Sequence, residues 1–167
     1  APEVVIQNLR VDHDFLGTYD MAIVAGWNFD KTIISDDTSA YILNEAAVRM
    51  IGWDSNEDAI NRKFKYAGMD GKVIGVAKDI HFETLQNKIS PIVMHLPRGS
   101  ILRRASIKMS SQNVTETVAF IEDQWAEFSP NQPIDYSFID ERFDRLYDSE
   151  NQRAKLFTGF SMLAMFL

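Results

Sequence analysis

"AYILNEAAVRMIG", residues 40–52, decides how this chain is read. Tyr41, Ile42 and Leu43 form an aromatic and aliphatic run suited to an extended segment. Asn44 stands where its side chain can cap the first turn of a helix, and Gly52 where a left-handed residue stops one. The stretch predicts a strand that passes directly into a helix. That passage places the chain among folds that mix strands and helices.

Downstream, "EDAINRKFKYAGMDGKVIGVAKDI" (57–80) predicts a β-hairpin. Its arms lie near 62–67 and 72–80, with Gly68 and Asp70-Gly71 supplying the turn. "PIVMHL" (91–96) is a further short strand. In "RASIKMS" (104–110), Ala105, Ile107 and Met109 alternate onto one face. Asn113 and Glu116 make a capping-box pair, followed by Val114, Val118, Ile121, Trp125 and Phe128 at helical spacing. Ile121 and Trp125 are expected to face the sheet. Pro130 and Pro133 end this helix, after which Ile134, Tyr136 and Phe138 alternate again. Residues 104–139 thus predict a strand-helix-strand unit.

Upstream, 3–11 reads as a strand, and Asp12 or Asp14 can cap a short helix. Residues 22–25 read as a strand ending at Gly26. The fold class expected is α+β with two lobes. Lobe one takes about 1–25 and 100–139 and contains the βαβ unit. Lobe two, about 26–99, is a mostly β insertion.

Composition narrows the function. The 167 residues are 46% hydrophobic and 25% charged, ordinary for a globular fold. The net charge of -7, from 17 Lys+Arg against 24 Asp+Glu, argues against nucleic acid or an anionic membrane surface as the main partner. Without cysteine there is neither a disulfide framework nor a thiolate metal site.

The last twelve residues, "LFTGFSMLAMFL" (156–167), carry no charge. A membrane-spanning helix needs ~20 residues, so this run is too short to span by itself. A C-terminal core helix is one reading. Such a helix keeps a polar stripe, however, and here the stripe ends at Lys155. The run is therefore expected to be the start of a truncated transmembrane helix, continuing a charged helix capped by Asp140. The opening, "APEVVIQNLRVD", lacks a signal peptide and an initiator Met and reads as a processed end or fragment boundary.

Signals for chemistry are few. In "DIHFE", Asp79, His81 and Glu83 alternate, and on a strand the three would share a face able to hold a divalent ion. No second His lies nearby, so a solvated strand edge entering a loop is the reading adopted for them. His13, between Asp12 and Asp14, reads as a surface turn, and His95 as a satisfied core or edge histidine. No nucleophile elbow or phosphate-binding glycine loop is present. No catalytic or cofactor-binding residue is assigned, no cofactor is expected, and substrate-binding residues are left unassigned.

Two stretches taken together, "YILNEAAVRMIGW" and "VIGVAKDIHFETLQNKISPIV", resemble the MacB-like periplasmic core domain of FtsX-like permease subunits of ABC transporters. In that family an extended segment leads into an Asn-Glu-Ala-Ala helix. A later stretch is matched by Val73–Asp79, His81, Phe82, Leu85, Ile89 and Pro91. "DFLGTYDM" (14–21) and "GWNF" (26–29) are similar to earlier family motifs, although Trp27 stands where an Arg is common. "FIDERFDRLYDSENQRAKLFTGFSMLAMFL" (138–167) looks like the exit from that domain into the membrane, and its form is most like the second such domain of a longer permease.

The resemblance implies a MacB-like extracytoplasmic domain over 1–155 and the membrane helix from 156. It implies a non-catalytic part of a bacterial inner-membrane transporter, facing the periplasm. ATP hydrolysis would belong to a cytoplasmic ABC ATPase, since this chain has no Walker motif. The implied partners are that ATPase, the membrane through the C-terminal helix, periplasmic adaptor or other envelope proteins, and a second copy in a full-length dimeric transporter. The alternative is a ligand-binding sensor domain of a membrane receptor, which would need a concave pocket with convergent polar groups.

Overall fold

The computed structural model describes residues 6–33, 39–80, 89–97 and 104–139. The chain divides into two compact units. Of the described residues, 6–33, 39–80, 89–97 and 104–108 fall in the first unit and 109–139 in the second.

The first unit is built on one mixed sheet. Its strands are β1 (Gln7–Arg10), β2 (Ile23–Gly26), β3 (Ala40–Asn44), β4 (Lys63–Tyr66), β5 (Met69–Ala77) and β6 (Ile92–His95). They run in the order β1-β6-β3-β5-β2, with β4 also paired to β5. The β1–β6 and β3–β5 pairs are parallel, and the β3–β6, β2–β5 and β4–β5 pairs antiparallel. A short helix, α1 (Phe15–Thr18), links β1 to β2, and α2 (Glu45–Ile51) follows β3 without a loop.

The strand-to-helix passage forms as the sequence predicts. All five residues of β3 are buried, because the strand lies between two neighbours and is covered on both faces. Asn44 is the N-cap of α2, with its side chain accepting from the Ala47 N–H. Gly52 ends the helix at φ +85°, a conformation that costs an L side chain ~1–2 kcal/mol. Tyr41, Leu43, Ala47, Val48, Val73, Val76 and Val93 pack in one buried cluster, with Trp53, Phe64 and Tyr66 against it.

Val73 and Val76 share that cluster although their spacing is odd. A bulge resolves this: the register moves from Tyr41↔Val73 to Ile42↔Gly75, leaving Ile74 as an extra residue. Glycines make room beside it. A Cβ on Gly26 would collide with the Ile74 carbonyl oxygen, and one on Gly75 with that of Trp27. The Trp27 N–H donates to the Ile74 carbonyl at 3.1 Å.

The hairpin forms, but its turn is shorter and earlier than expected. Tyr66 pairs with Met69, so Ala67 and Gly68 are the two turn residues, at φ +50° and +81°. Asp70 and Gly71 lie inside β5, where Gly71 lets the strand approach Ser39 and Tyr41. Two consecutive left-handed residues give the twist a two-residue hairpin needs.

In the second unit, α3 (Val114–Phe128) takes the predicted span. Asn113 precedes it at φ +59° and makes no side-chain capping bond, so the expected capping box is not formed. Residues 104–110 and 133–138 are not strands, and only the helix of the expected strand-helix-strand unit is present among the described residues. Alternation there has no ladder partner, and an unpaired extended segment is not stable as a strand. Val114, Val118, Ile121 and Trp125 form a half-buried stripe, and no residue of α3 is fully buried. The Trp125 indole N–H donates to the Gln132 carbonyl at 2.7 Å.

The expected lobes, 1–25 with 100–139 and 26–99, do not follow the sheet. β1 pairs with β6 and β2 with β5, so the N-terminal segment is built into the sheet of the middle region. Strand pairing is non-local, and periodicity carries no information on it. The α+β class holds. Residues 140–167, with the expected stalk and membrane helix, lie outside the described residues. Among the described residues no helix is long and apolar enough to cross a membrane.

Candidate functional site

The densest polar arrangement sits where β3 enters α2. Asn44 is 1% exposed, and it makes three hydrogen bonds. Its Oδ1 accepts from Ala47 N–H at 3.0 Å and from Ile92 N–H at 2.8 Å, while its Nδ2 donates to Ser90 O at 3.0 Å. One side chain thus caps α2 and starts β6. An apolar residue here would leave two donors and an acceptor buried without partners, each at ~1–3 kcal/mol.

Glu45 and Asp79 complete the junction. Glu45 Oε2 accepts from the Asp79 N–H at 3.0 Å, and its Oε1 accepts from Asn56 Nδ2 at 3.2 Å. Asp79 Oδ1 accepts from the Ala46 N–H at 2.9 Å, and its Oδ2 accepts from Arg49 Nη2. Two carboxylates at the first turn of α2 suit the positive end of its dipole. The junction joins β3, α2, the 53–62 loop, the exit of β5 and the entry of β6.

Of the metal candidates, Asp79 therefore has both carboxylate oxygens engaged by donors of α2. His81 and Glu83 lie outside the described residues. Among the described residues no group of three His, Asp or Glu side chains is placed to hold a metal. His95 is buried, with Nδ1 3.0 Å from the Leu96 carbonyl and its ring edge-on to Tyr41. His13 is half-buried in a turn, and its carbonyl accepts from Asn28 Nδ2.

A second polar region surrounds α1. Lys31 Nζ donates to Asp14 Oδ2 at 2.8 Å, which holds the ammonium pKa above its ordinary value. The Thr32 backbone N–H, then its hydroxyl, hold the Asp30 carboxyl below the usual carboxylate range. Nearby, Tyr19 Oη and Ser106 Oγ are 2.6 Å apart, and Lys108 Nζ donates to both Asp20 oxygens at 2.6 Å. These bonds fasten residues 104–108 to the segment after α1.

Residue spacing marks Asn44 as a cap but does not show its bonds to Ile92 and Ser90. Spacing assigns Glu45 no role, and Asp79, expected at a solvated strand edge, instead binds the first turn of α2. Only a carboxylate straight after a capping Asn, and another just past a buried strand, hinted at the junction. The arrangement is one of mutual satisfaction: its named carboxylates and amide are spent on backbone groups and on the side chains of Asn56 and Arg49.

No family model matches the chain, and no curated protein matches it. Among solved structures, it is similar to the periplasmic region of MacB from Actinobacillus actinomycetemcomitans. The TM-score is 0.61 at 13% identity, covering 80% of this chain and 62% of that one. This chain thus spans a little under two thirds of that region's length, and it has a MacB-like periplasmic fold. A domain described as that of a permease protein from Porphyromonas gingivalis is also similar, with a TM-score of 0.48 at 12% identity, covering 80% of this chain and 70% of that one.

Proposed function

We propose that this chain is the extracytoplasmic domain of an ABC transporter permease subunit, of the MacB-like, FtsX-like kind. It relays ATP-driven movement of membrane helices to envelope partners or substrate. The observation that carries this reading is the shared fold with the MacB periplasmic region over 80% of the chain. The residue motifs that resemble the family add support, because Asn44, Glu45 and Asp79 are the residues that hold the sheet-to-helix junction together.

In this reading the chain performs no covalent chemistry. A cytoplasmic ATPase supplies the energy, and the run from Leu156, carried on the charged helix capped by Asp140, enters the bacterial inner membrane. The domain faces the periplasm, where an adaptor or other envelope protein receives the movement. A relay needs a body that moves as a unit. The satisfied junction supplies rigidity, and the Tyr19–Ser106 and Asp20–Lys108 bonds pass a pull on residues 104–108 to the segment after α1.

The test uses the natural polypeptide that contains this chain, in membranes with its ATPase. This chain has no cysteine, so with any cysteines elsewhere in that polypeptide replaced, a single one at Ser110 is a clean reporter. Labelling by an impermeant thiol reagent from the outer side, at a rate that changes with ATP turnover, is expected. A polypeptide that does not associate with membranes, or a rate indifferent to ATP, would overturn the reading.

A further inference from the structure

The β4–β5 hairpin sets Lys63, Lys65, Asp70 and Lys72 toward solvent, while Phe64, Tyr66, Met69 and Gly71 are half-buried. Lys65 pairs with Asp70 at 3.4 Å. Lys63 stands directly opposite Lys72 in the ladder, and like charges so placed repel. Neither has a carboxylate partner among the described residues. Beside them is an open depression of about 480 Å³, lined by Lys63, Phe64, Lys65, Asp70 and Gly71. A chain of net charge -7 therefore presents two unneutralised cations, Lys63 and Lys72, beside an open depression.

Helix α3 carries the complement. Glu116, Phe120, Asp123 and Glu127 fall on one side of it by helical spacing, and all four are exposed. Phe120 is 63% exposed, flanked by carboxylates on both sides. No Lys or Arg occurs from Val114 to Phe128, and these carboxylates have no cationic partner among the described residues. Asp123 and Glu127 are ~6 Å apart along the axis. Lys63 and Lys72 are ~5 Å apart across the ladder.

We propose that this surface pairs copies of the chain: α3 of one copy docks on the hairpin of a second. Phe120 enters the depression, and Asp123 and Glu127 lie against Lys63 and Lys72. A second copy is the occupant because both halves, opposite in charge and similar in spacing, are written in the same sequence. The contact buries a small area and belongs with transient interfaces, read at ~0.1–1 mM chain. It stands independently of the transporter reading.

The test is sedimentation velocity on the 167-residue chain, with folding of every variant checked by circular dichroism. Association of the wild type is expected to weaken ~tenfold between about 0.05 and 0.5 M NaCl, where screening shortens the Debye length. Lys63→Glu with Lys72→Glu, and separately Asp123→Lys with Glu127→Lys, should each lower association at least ~tenfold, since like charges then meet. Phe120→Ala should lower it too. Mixing the two charge-reversed variants should restore pairing between unlike chains, seen by labelling one of them. A monomeric wild type overturns the proposal. So does association indifferent to salt and to these variants, as the apolar run 156–167 would give, and so does a mixture that does not pair.

Discussion

Glu45 and Asp79 each hold the other's stretch of backbone: the Glu45 carboxylate accepts from the Asp79 N–H, and the Asp79 carboxylate from the N–H of Ala46, next to Glu45. The pair closes a small cycle between the start of α2 and the exit of β5. Hydrogen bonds to charged groups contribute ~1.5–3 kcal/mol each, so Glu45→Ala and Asp79→Ala should each lower stability by that order in urea unfolding. The double variant should lose less than the sum, by ~0.5 kcal/mol or more, because neither half of the cycle holds its geometry alone. Strict additivity would show two independent caps instead.

Asn44→Ala should cost more than either. It removes three hydrogen bonds at a position 1% exposed, and it leaves Ile92 N–H and Ser90 O buried. A loss of ~3 kcal/mol or more is expected, from a lost cap and unsatisfied buried groups. A loss near that of an exposed cap, ~1 kcal/mol, would mean the Ile92 and Ser90 bonds contribute little.

Ala67 should be improvable. It sits at φ +50° in a two-residue turn, where Asn or Gly is favoured. Ala67→Gly or Ala67→Asn should raise stability by ~0.5–1 kcal/mol. The unfolding midpoint reports it, and a fall would place the turn elsewhere, at Asp70-Gly71 as the sequence signal has it.

Two glycines with positive φ should respond differently to alanine. At Gly52 nothing lies within 4 Å of an added Cβ, so Gly52→Ala meets only backbone strain, ~1–2 kcal/mol. At Gly26 the same strain is joined by collision with the Ile74 carbonyl, and the cost should pass ~3 kcal/mol. Equal costs would show that β2 can move off the bulge freely.

What could be read in advance was local. The β3–α2 passage was legible because a cap, a stop and a buried run all lie within residues 40–52. The turn was misplaced because Asp-Gly is a stronger hairpin signal than Ala-Gly, and only the register shows which is used. The segments 104–110 and 133–138 alternate as strands do, but alternation supplies no partner. The Glu45–Asp79 cycle was illegible for a related reason: its two halves meet only once β3 and β5 lie side by side.

The pairing of β1 with β6 also sets an order of events during synthesis. Gln7 has no ladder partner until Ile92 has left the ribosome, whereas β4 and β5 can pair as soon as Ala67 and Gly68 are free to turn. The hairpin forms on the microsecond scale of local closure, long before the next residues are added at ~5–20 per second. Through that interval Leu9 and Val11 stay unshielded, and β1 waits for a strand about 80 residues further along. Until β6 emerges, Gln7–Arg10 is open to proteases and to wrong strand partners.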